Sequence, residues 1–275
     1  KGIKKNQLGR DKFIKEVWKW KEESGDQILN QLKKLGCSCD WSRNRFTMDK
    51  DLSNSVIKTF VQLYKKKIIY KDTKLVNWDT KLETAISDLE VEQREVQSNL
   101  YYIRYKIDGE DNFITIATTR PETMLGDTAV AVNPNDDRYK NFIGKKIIVP
   151  IVERKVKIIT DNYVSLDQGS GALKVTPAHD FNDFEIGKRH KLEFINIFEK
   201  NGKLNNKVPK ELVGKDRFEA RSIITKILKG KNLLEKIENI KNTVPYGDRS
   251  NSIIEPLLTE QWFLDAKFLA KKAIQ

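Results

Sequence analysis

The sequence predicts an α+β fold, with a barrel-like β core that has helices around it and helical or irregular connector segments on both flanks. Apolar residues recur at helical spacing in the first quarter of the chain. Short stretches of strand type then follow one another at regular spacing, which is typical of a barrel or a sandwich. We therefore expect a helical N-terminal connector over residues 1–95, a β-rich core over 96–235 and a C-terminal return connector over 236–275, as in an inserted domain.

The composition narrows the class of protein. Of 275 residues, 39% are hydrophobic, which is enough for a packed core and excludes wholesale disorder. The formal net charge of +12 favours a polyanionic partner such as a nucleic acid, with a lysine-rich solvated surface as the alternative. The cysteines, Cys37 and Cys39, have one residue between them, a spacing that suits neither a disulfide framework nor a zinc site. Reduced thiols in the cytoplasm are the simplest account.

The sequence also bears on location and on completeness. It has no apolar run of about eighteen residues, and its N-terminus lacks the apolar region of a signal peptide. We therefore expect a cytoplasmic protein without a membrane partner. Because the first residue is not Met, we expect an excised fragment.

The first seventy residues favour helices. Apolar side chains lie on one face at helical spacing over Arg10–Glu23, Ile28–Leu35 and Leu52–Lys67. Asp49 or Asp51 is expected to cap the last of these helices. The Trp and Tyr residues of this region are expected to be buried in a core rather than to stack on nucleic-acid bases.

Strands are predicted next. Ile68–Tyr70 and Leu75–Trp78 are short candidates, and Leu100–Ile107 with Phe113–Ala117 forms a hairpin pattern around a five-residue loop. Further strands are expected over Thr128–Val132, Lys146–Pro150, Val156–Thr160 and Ala172–Thr176, and further helices over Asp180–His190 and Arg217–Lys229.

Two polar turns follow strands of this core. The first turn is Thr118-Thr119-Arg120-Pro121-Glu122-Thr123, and the second is Thr176-Pro177-Ala178-His179-Asp180-Phe181-Asn182-Asp183. Pro121 and Pro177 stop the strands, because proline donates no hydrogen bond to a sheet. If the two strand ends lie side by side, hydroxyls, cations and aspartates share one pocket, which we predict to be the active site.

Asp180 and Asp183 lie three residues apart at the start of a predicted helix. The structural interpretation makes Asp180 the N-cap and Asp183 the acid of a capping-box-like start. A cap uses one carboxylate oxygen, so a functional role can coexist with it. The helix N-terminus favours the ionised form of both acids, which can then hold a substrate ammonium and accept from a substrate hydroxyl.

The cations of the two turns have two interpretations. Arg120 and Lys174 either pair with these aspartates or bind a phosphate or the ester of a tRNA terminus. His179 has no visible Ser or Cys partner, so a nucleophilic pair is not indicated. Threonine is common in strands, but four threonines at two strand ends are less expected: Thr118, Thr119, Thr123 and Thr176.

Together these residues closely resemble the editing domain of class I aminoacyl-tRNA synthetases. The resemblance lies in Thr118–Thr123, Gly169–Gly171 and Thr176–Asp183, and Ala178-His179-Asp180 followed by Asp183 is similar to the valyl branch rather than the isoleucyl branch. It covers nearly the whole chain, because three flanking segments are similar to the same branch: Cys39–Arg43, Leu75–Asp79 and Glu255–Leu258.

The resemblance implies post-transfer editing, which is hydrolysis of the aminoacyl ester of mischarged tRNA, chiefly threonyl-tRNA(Val). A hydrophobic pocket cannot strongly reject an isostere that carries a hydroxyl, and valine against threonine is a standard instance of this limit. The resemblance implies that Asp183 anchors the α-ammonium, and that Thr118 and Thr119 help to place the attacking water. Asp180 would recognise the threonyl hydroxyl, and the substrate-binding set is completed by Arg120, Thr123, Lys174, Thr176 and His179.

The resemblance also implies what the fragment lacks. His-Ile-Gly-His-like and Lys-Met-Ser-Lys-Ser-like motifs do not occur, so ATP and Mg²⁺ are expected to belong to a synthetic domain outside this fragment, which itself holds no cofactor and no metal. We expect a positioned water to attack without a covalent intermediate. The proton acceptor stays open among a carboxylate, His179 and a ribose hydroxyl of the tRNA.

The expected partners are the acceptor end of tRNA(Val), its mischarged threonyl group and the remainder of the synthetase. Two alternatives stay open: an acceptor-end binding module that is inactive when isolated, and an editing domain of isoleucyl type. Gln168 stands where an aromatic residue is expected in some relatives, so stacking on the terminal adenine is an open question.

Overall fold

The computed structural model of the protein describes residue 3 and residues 5–274. The chain divides into two compact units, with the boundary between Ile68 and Ile69. Among the described residues, no helix has both the length and the apolar character needed to cross a membrane.

The first unit is helical. Its helices are α1 (Lys5–Leu8), α2 (Arg10–Ser24), α3 (Gln27–Lys34) and α4 (Lys50–Lys65). The last three confirm the predicted helices to within about two residues at most ends. Asp49 stands at the N-cap of α4, but its carboxylate accepts the Phe46 backbone N–H at 2.9 Å instead of a helix N–H.

The aromatic residues of this unit are not a core. In the described helices α2, α3 and α4 no residue is buried, and Trp18 and Trp20 are 40% and 68% exposed. Trp18 instead makes an edge contact with Phe46, with ring centroids 5.9 Å apart. The expectation that these side chains are buried is wrong, because the few helices of this unit do not enclose a core of their own.

The second unit contains a small sheet. Strand β1 (Ile69–Asp79) pairs antiparallel with β10 (Glu255–Leu264) and with the short β2 (Thr84–Ala85). The sequence predicted two separate strands within β1. They are one strand, because its pairing with β10 continues without a break through the polar residues 71–74.

The larger sheet has seven strands and curls into a half-barrel. Its strands are β3 (Val91–Ile107), β4 (Phe113–Thr118), β5 (Ala129–Val132), β6 (Lys146–Ile148), β7 (Lys155–Thr160), β8 (Ala172–Val175) and β9 (Leu234–Gly247). The order is β4-β3-β6-β7-β5-β8, β9 pairs with β3, and the β5–β7 pair alone is parallel among these ladders. Curling brings β4 into contact with β8, at the other end of this order. The predicted barrel-like core is confirmed.

Two helices pack on this sheet, α5 (Phe181–His190) and α6 (Arg217–Gly230). A further helix, α7 (Ala266–Ile274), follows β10 at the end of the described chain and is mostly exposed. α6 packs on the turn after β4, and α5 contacts β8. Inward residues alternate along the strands, and Ile103, Tyr105 and Ile107 of β3 are all fully buried. The predicted α5 and α6 are confirmed.

Two long strands were missed. The sequence analysis did not predict β9 or β10 as strands, and it began β3 about nine residues too late. Along β9 half-buried residues alternate with exposed ones over most of its length, and Lys, Glu and Asn interrupt its apolar pattern. Such a ribbon is stabilised by pairing with β3 from Val91 to Ile103, which a local pattern does not reveal.

Candidate functional site

The two polar turns meet at one cavity. β4 ends at Thr118 and β8 ends at Val175, so the turns that follow them lie next to each other and enclose about 170 Å³. We call this space the site cavity; it is lined by Ala117, Thr118, Thr119, Arg120, Thr123, Tyr163, Leu173, Lys174, Thr176, His179, Asp180, Asn182 and Asp183. Every residue named as a site candidate from the sequence is in this set. Their roles stay predictions.

Asp180 caps α5. Its carboxylate accepts the backbone N–H groups of Asn182 at 2.8 Å and Asp183 at 3.1 Å, and its own backbone is extended. The predicted N-cap is confirmed. Asp183 does not complete a capping box, because its Oδ2 accepts the Thr176 backbone N–H at 2.8 Å and so ties α5 to the end of β8. Asp180 is exposed at the cavity mouth, whereas Asp183 is buried.

Burial changes the chemistry of Asp183. Desolvation raises the pKa of its carboxyl to about 7, and the nearby Lys174 ammonium opposes this shift. Asp183 is therefore only partly ionised near neutral pH, because burial disfavours its charged form, whereas the expectation from the helix N-terminus was a fully ionised acid. A carboxyl with this pKa exchanges its proton near neutrality and gains charge when a cation binds.

A buried carboxylate that the sequence analysis missed lies beneath the cavity. Asp127 accepts the Thr176 hydroxyl at 2.5 Å and the Tyr105 hydroxyl at 2.7 Å, and Lys174 Nζ lies 3.4 Å from its Oδ1. Lys174 also donates to Thr176 Oγ1 at 2.5 Å. Burial raises the pKa of the Asp127 carboxyl, and Lys174 opposes the shift. The sequence signal for Asp127 was a single acidic residue just before an apolar strand. Such a residue is ordinarily interpreted as a solvated part of a turn.

Arg120 joins the two turns. Its Nη1 donates to the His179 backbone oxygen at 3.0 Å, and its Nη2 donates to Glu255. Its backbone N–H donates to Thr118 Oγ1 at 3.1 Å, and its backbone oxygen accepts the Thr123 hydroxyl at 2.9 Å. Arg120 thus pairs with a distant glutamate of β10.

Lys174 also pairs with an acid that lies outside the two turns. It pairs with Asp127, so neither cation forms an ion pair with Asp180 or Asp183 among the contacts of the described residues. The open alternative that Arg120 and Lys174 pair with Asp180 and Asp183 is therefore wrong. Glu122, also buried, accepts both ends of the Arg221 guanidinium at 2.7 and 2.8 Å and thereby attaches the first turn to α6.

The His179 ring points into the protein. Its Nε2 accepts the Ile197 backbone N–H at 3.0 Å, and the ring packs edge-on against Phe198. Its Nδ1 has no hydrogen-bond partner and lies 3.8 Å from Glu255 Oε1. Burial, with the nearby Arg120 charge, holds the pKa of His179 well below its usual range. The ring is therefore neutral, and its acceptor nitrogen is already occupied.

The glycines before β8 line a second cavity, which shares Ala117, Tyr163 and Leu173 with the site cavity. Gly171 has φ +79°, and an added Cβ would overlap the Arg138 guanidinium, whose Nη2 donates to the Leu166 backbone oxygen at 2.9 Å. Asp136 also binds Arg138, through two contacts of 2.6 and 2.9 Å. The backbone at position 171 thus favours glycine, and any side chain there would also displace the Arg138 guanidinium.

Gly171→Ala is expected to lower the free energy of unfolding by about 1–3 kcal/mol, because it adds a steric overlap to a strained backbone. Urea unfolding followed by circular dichroism measures the change. Gly144→Ala is the matched control, since Gly144 has φ +82° with open space around it. Equal losses in the two variants would show that backbone strain alone accounts for the effect.

Comparison with known proteins gives one consistent family. The sequence matches the model of tRNA synthetases class I (I, L, M and V) over residues 1–275. Valine–tRNA ligases are similar to it: that of Pelagibacter ubique is 68% identical over 99% of this chain and 31% of its own length, and that of Bradyrhizobium diazoefficiens is 54% identical over 98% and 30%. The chain therefore spans less than a third of the length of these relatives. An Agrobacterium radiobacter LeuRS-tRNA-LeuAMS complex is 17% identical, with a TM-score of 0.41 over 82% of this chain and 36% of that chain.

Proposed function

Because the chain belongs to the class I tRNA synthetases, whose family model matches it from end to end, we propose that its site cavity hydrolyses the ester of mischarged tRNA. The substrate is chiefly threonyl-tRNA(Val), since the similar relatives are valine–tRNA ligases. One observation carries the proposal: two carboxyls, an ammonium and several threonine hydroxyls line a single cavity of about 170 Å³. That is room for roughly five or six water molecules at about 30 Å³ each, which suits a small aminoacyl group with an attacking water.

Asp183 receives the α-ammonium of the aminoacyl group. Its carboxyl has a pKa of about 7 because it is buried, so an arriving cation favours the ionised form and displaces the proton. Lys174 then lies across the cavity from a bound ester and polarises its carbonyl. Thr118 and Thr119 place the water.

Asp180 provides the preference for threonine. Its carboxylate is exposed at the cavity mouth while one oxygen caps α5, which leaves an oxygen to accept the threonyl hydroxyl. Valine would fill the same volume but leave that oxygen without a donor, so the polar pocket favours the amino acid that an apolar synthetic pocket fails to exclude. The remaining residues, Arg120, Thr123, Thr176 and His179, hold the two turns together around the substrate through the contacts described above.

The partners follow from this reaction. The acceptor end of tRNA(Val) brings the ester, and the formal charge of +12 favours contact with its phosphates. The remainder of a synthetase would supply further tRNA contacts, and a role in translation would place the chain in the cytoplasm.

The direct test is to incubate the purified chain with threonyl-tRNA(Val), valyl-tRNA(Val) and valyl-tRNA(Ile), and to measure the ester remaining with time. We expect threonyl-tRNA(Val) to be hydrolysed well above its uncatalysed rate and valyl-tRNA(Val) to be spared. Binding without hydrolysis would support an acceptor-end binding module instead. Faster hydrolysis of valyl-tRNA(Ile) would support an editing domain of isoleucyl type.

Asp180→Asn is expected to reduce the preference for threonyl-tRNA(Val) over valyl-tRNA(Val) by about tenfold, because a charged acceptor for the threonyl hydroxyl is lost. The fold should survive, since Asn is as good an N-cap as Asp. Asp216→Asn is the matched control, because Asp216 caps α6 through the Phe218 N–H at 2.9 Å and does not line the site cavity. A comparable loss of preference in the control would assign the effect to helix capping.

A further inference from the structure

Two oxygens bind the ammonium of Lys174. Its side chain is 8% exposed, and its Nζ donates to Thr176 Oγ1 at 2.5 Å and approaches Asp127 Oδ1 to 3.4 Å. An ammonium has three N–H groups in a fixed tetrahedral arrangement. Thr176 Oγ1 and Asp127 Oδ1 are only 2.5 Å apart, so both lie on the same side of Nζ, within reach of one N–H. The other N–H groups are left for the site cavity, which Lys174 lines.

Asp127 determines this arrangement. It is fully buried, and its two oxygens accept from Thr176 Oγ1 at 2.5 Å and from Tyr105 OH at 2.7 Å. Because the Thr176 proton points to Asp127, the lone pairs of Thr176 face the Lys174 ammonium. The carboxylate therefore orients both a hydroxyl and a cation that line the cavity, although it does not line the cavity itself.

We propose that Asp127 is a positioning residue for ester hydrolysis, which orients the Thr176 hydroxyl and the Lys174 ammonium so that the free N–H groups of Lys174 face the ester carbonyl. The inference rests on the proposed function, to which it adds a residue outside the cavity. Without Asp127 the Thr176 hydroxyl would lose the acceptor that fixes its proton, and the ammonium would lose the carboxylate 3.4 Å away.

Other charges around Lys174 do not replace Asp127. Asp183 faces it from α5 but is itself half protonated near pH 7, because its pKa is about 7. His179, from the turn before α5, is neutral and adds no negative charge. Tyr105 from β3 keeps its proton, because burial and the adjacent Asp127 raise the pKa of its hydroxyl.

The test is the pH profile of single-turnover deacylation of threonyl-tRNA(Val), from pH 6 to 9 and corrected for uncatalysed hydrolysis. For Asp127→Asn we expect kcat to fall about 100-fold at pH 7.5 with KM little changed, as when an oxyanion donor is lost. Variant and parent should both rise through about pH 7 and then level off, because the pKa of Asp183 is about 7.

Tyr105→Phe is the companion variant. It removes one hydrogen bond from Asp127 but leaves the carboxylate charge, so we expect kcat to fall about tenfold or less at unchanged KM. Circular dichroism reports the folded fraction of both variants. If Asp127→Asn fails to fold, Tyr105→Phe provides the test. A fall in its kcat at unchanged KM supports the role of Asp127, and an unchanged kcat overturns it.

Three results separate the possibilities. A parent that leaves threonyl-tRNA(Val) at its uncatalysed rate ends the proposed function and this inference together. An active parent with an Asp127→Asn variant of the same rate and pH profile overturns only the role of Asp127. A loss that merely follows the folded fraction also overturns it, because it shows a purely structural role.

Discussion

Asp183→Asn is expected to slow deacylation of threonyl-tRNA(Val) by about a thousandfold and yet to make the fold more stable above pH 7. The rate falls because the amide gives the α-ammonium no negative partner in a buried place, a loss of roughly 3–5 kcal/mol for a buried ion pair. The fold survives because the amide oxygen of Asn can still accept the Thr176 N–H, which Asp183 now accepts at 2.8 Å.

The gain in stability follows from the pKa of Asp183. Burial raises that pKa from 3.8 to about 7, so between these values the folded protein binds a proton that the unfolded chain has released. The contribution to stability is complete below about pH 4 and is lost as the pH rises through about 7. Asn does not titrate, so its stability relative to the parent should increase from pH 4 to pH 7 and stay constant above that.

Thermal unfolding at pH 4.5, 6, 7 and 8 measures the second effect, and single-turnover deacylation measures the first. Asp216→Asn is the control for both, because it changes an N-cap carboxylate of α6 that does not line the site cavity. A variant that is inactive and also less stable than the parent at pH 8 would contradict the separation of function from stability, and would make Asp183 a structural residue.

The residues of the two turns could be predicted from the sequence, but the buried acids that pair with them could not. Proline-stopped strands with period-two patterns fix where β4 and β8 end, so the two turns could be predicted from local signals. The roles of Asp127 and Glu255 could not be predicted, because each role depends on a cation that is distant in sequence. Lys174 lies 47 residues from Asp127, and Arg120 lies 135 residues from Glu255. Burial of the kind that moves the pKa of Asp183 is likewise a property of the folded chain.

The same limit explains the missed strands. β10 carries Glu255 to Arg120, but its apolar residues only partly alternate and it contains Pro256. Its pairing with β1, from Glu255 opposite Trp78 to Leu264 opposite Ile69, is what makes it a strand. A segment expected to be a connector therefore supplies the counter-ion of a site residue.

Glu255→Gln is accordingly expected to lower the free energy of unfolding by about 3–5 kcal/mol. Glu255 is 2% exposed, donors reach it from Arg120 and from Arg217 Nη1 at 3.3 Å, and His179 Nδ1 lies 3.8 Å away. The neutral amide leaves the buried Arg217 and the half-buried Arg120 without this anion, and an uncompensated buried charge is strongly destabilising. Of its carboxylate contacts, Arg120 would keep the longer one between its Nε and Glu122, at 3.8 Å.

Glu260→Gln provides the matched comparison on the same strand. Glu260 pairs with Lys71 at 2.9 Å, but both side chains are about half exposed, so water and ions already screen the pair and its loss should change stability little. Urea unfolding of the two variants compares the stability lost with a buried glutamate charge to that lost with an exposed one. If both lose the same small amount, the glutamate at 255 is not the anion on which the two arginines depend, and Arg120 must be held by the first turn alone. If Glu255→Gln is destabilised as expected, deacylation should fall with it even where the variant is fully folded, because Arg120 is then free to leave the His179 carbonyl and the two turns separate.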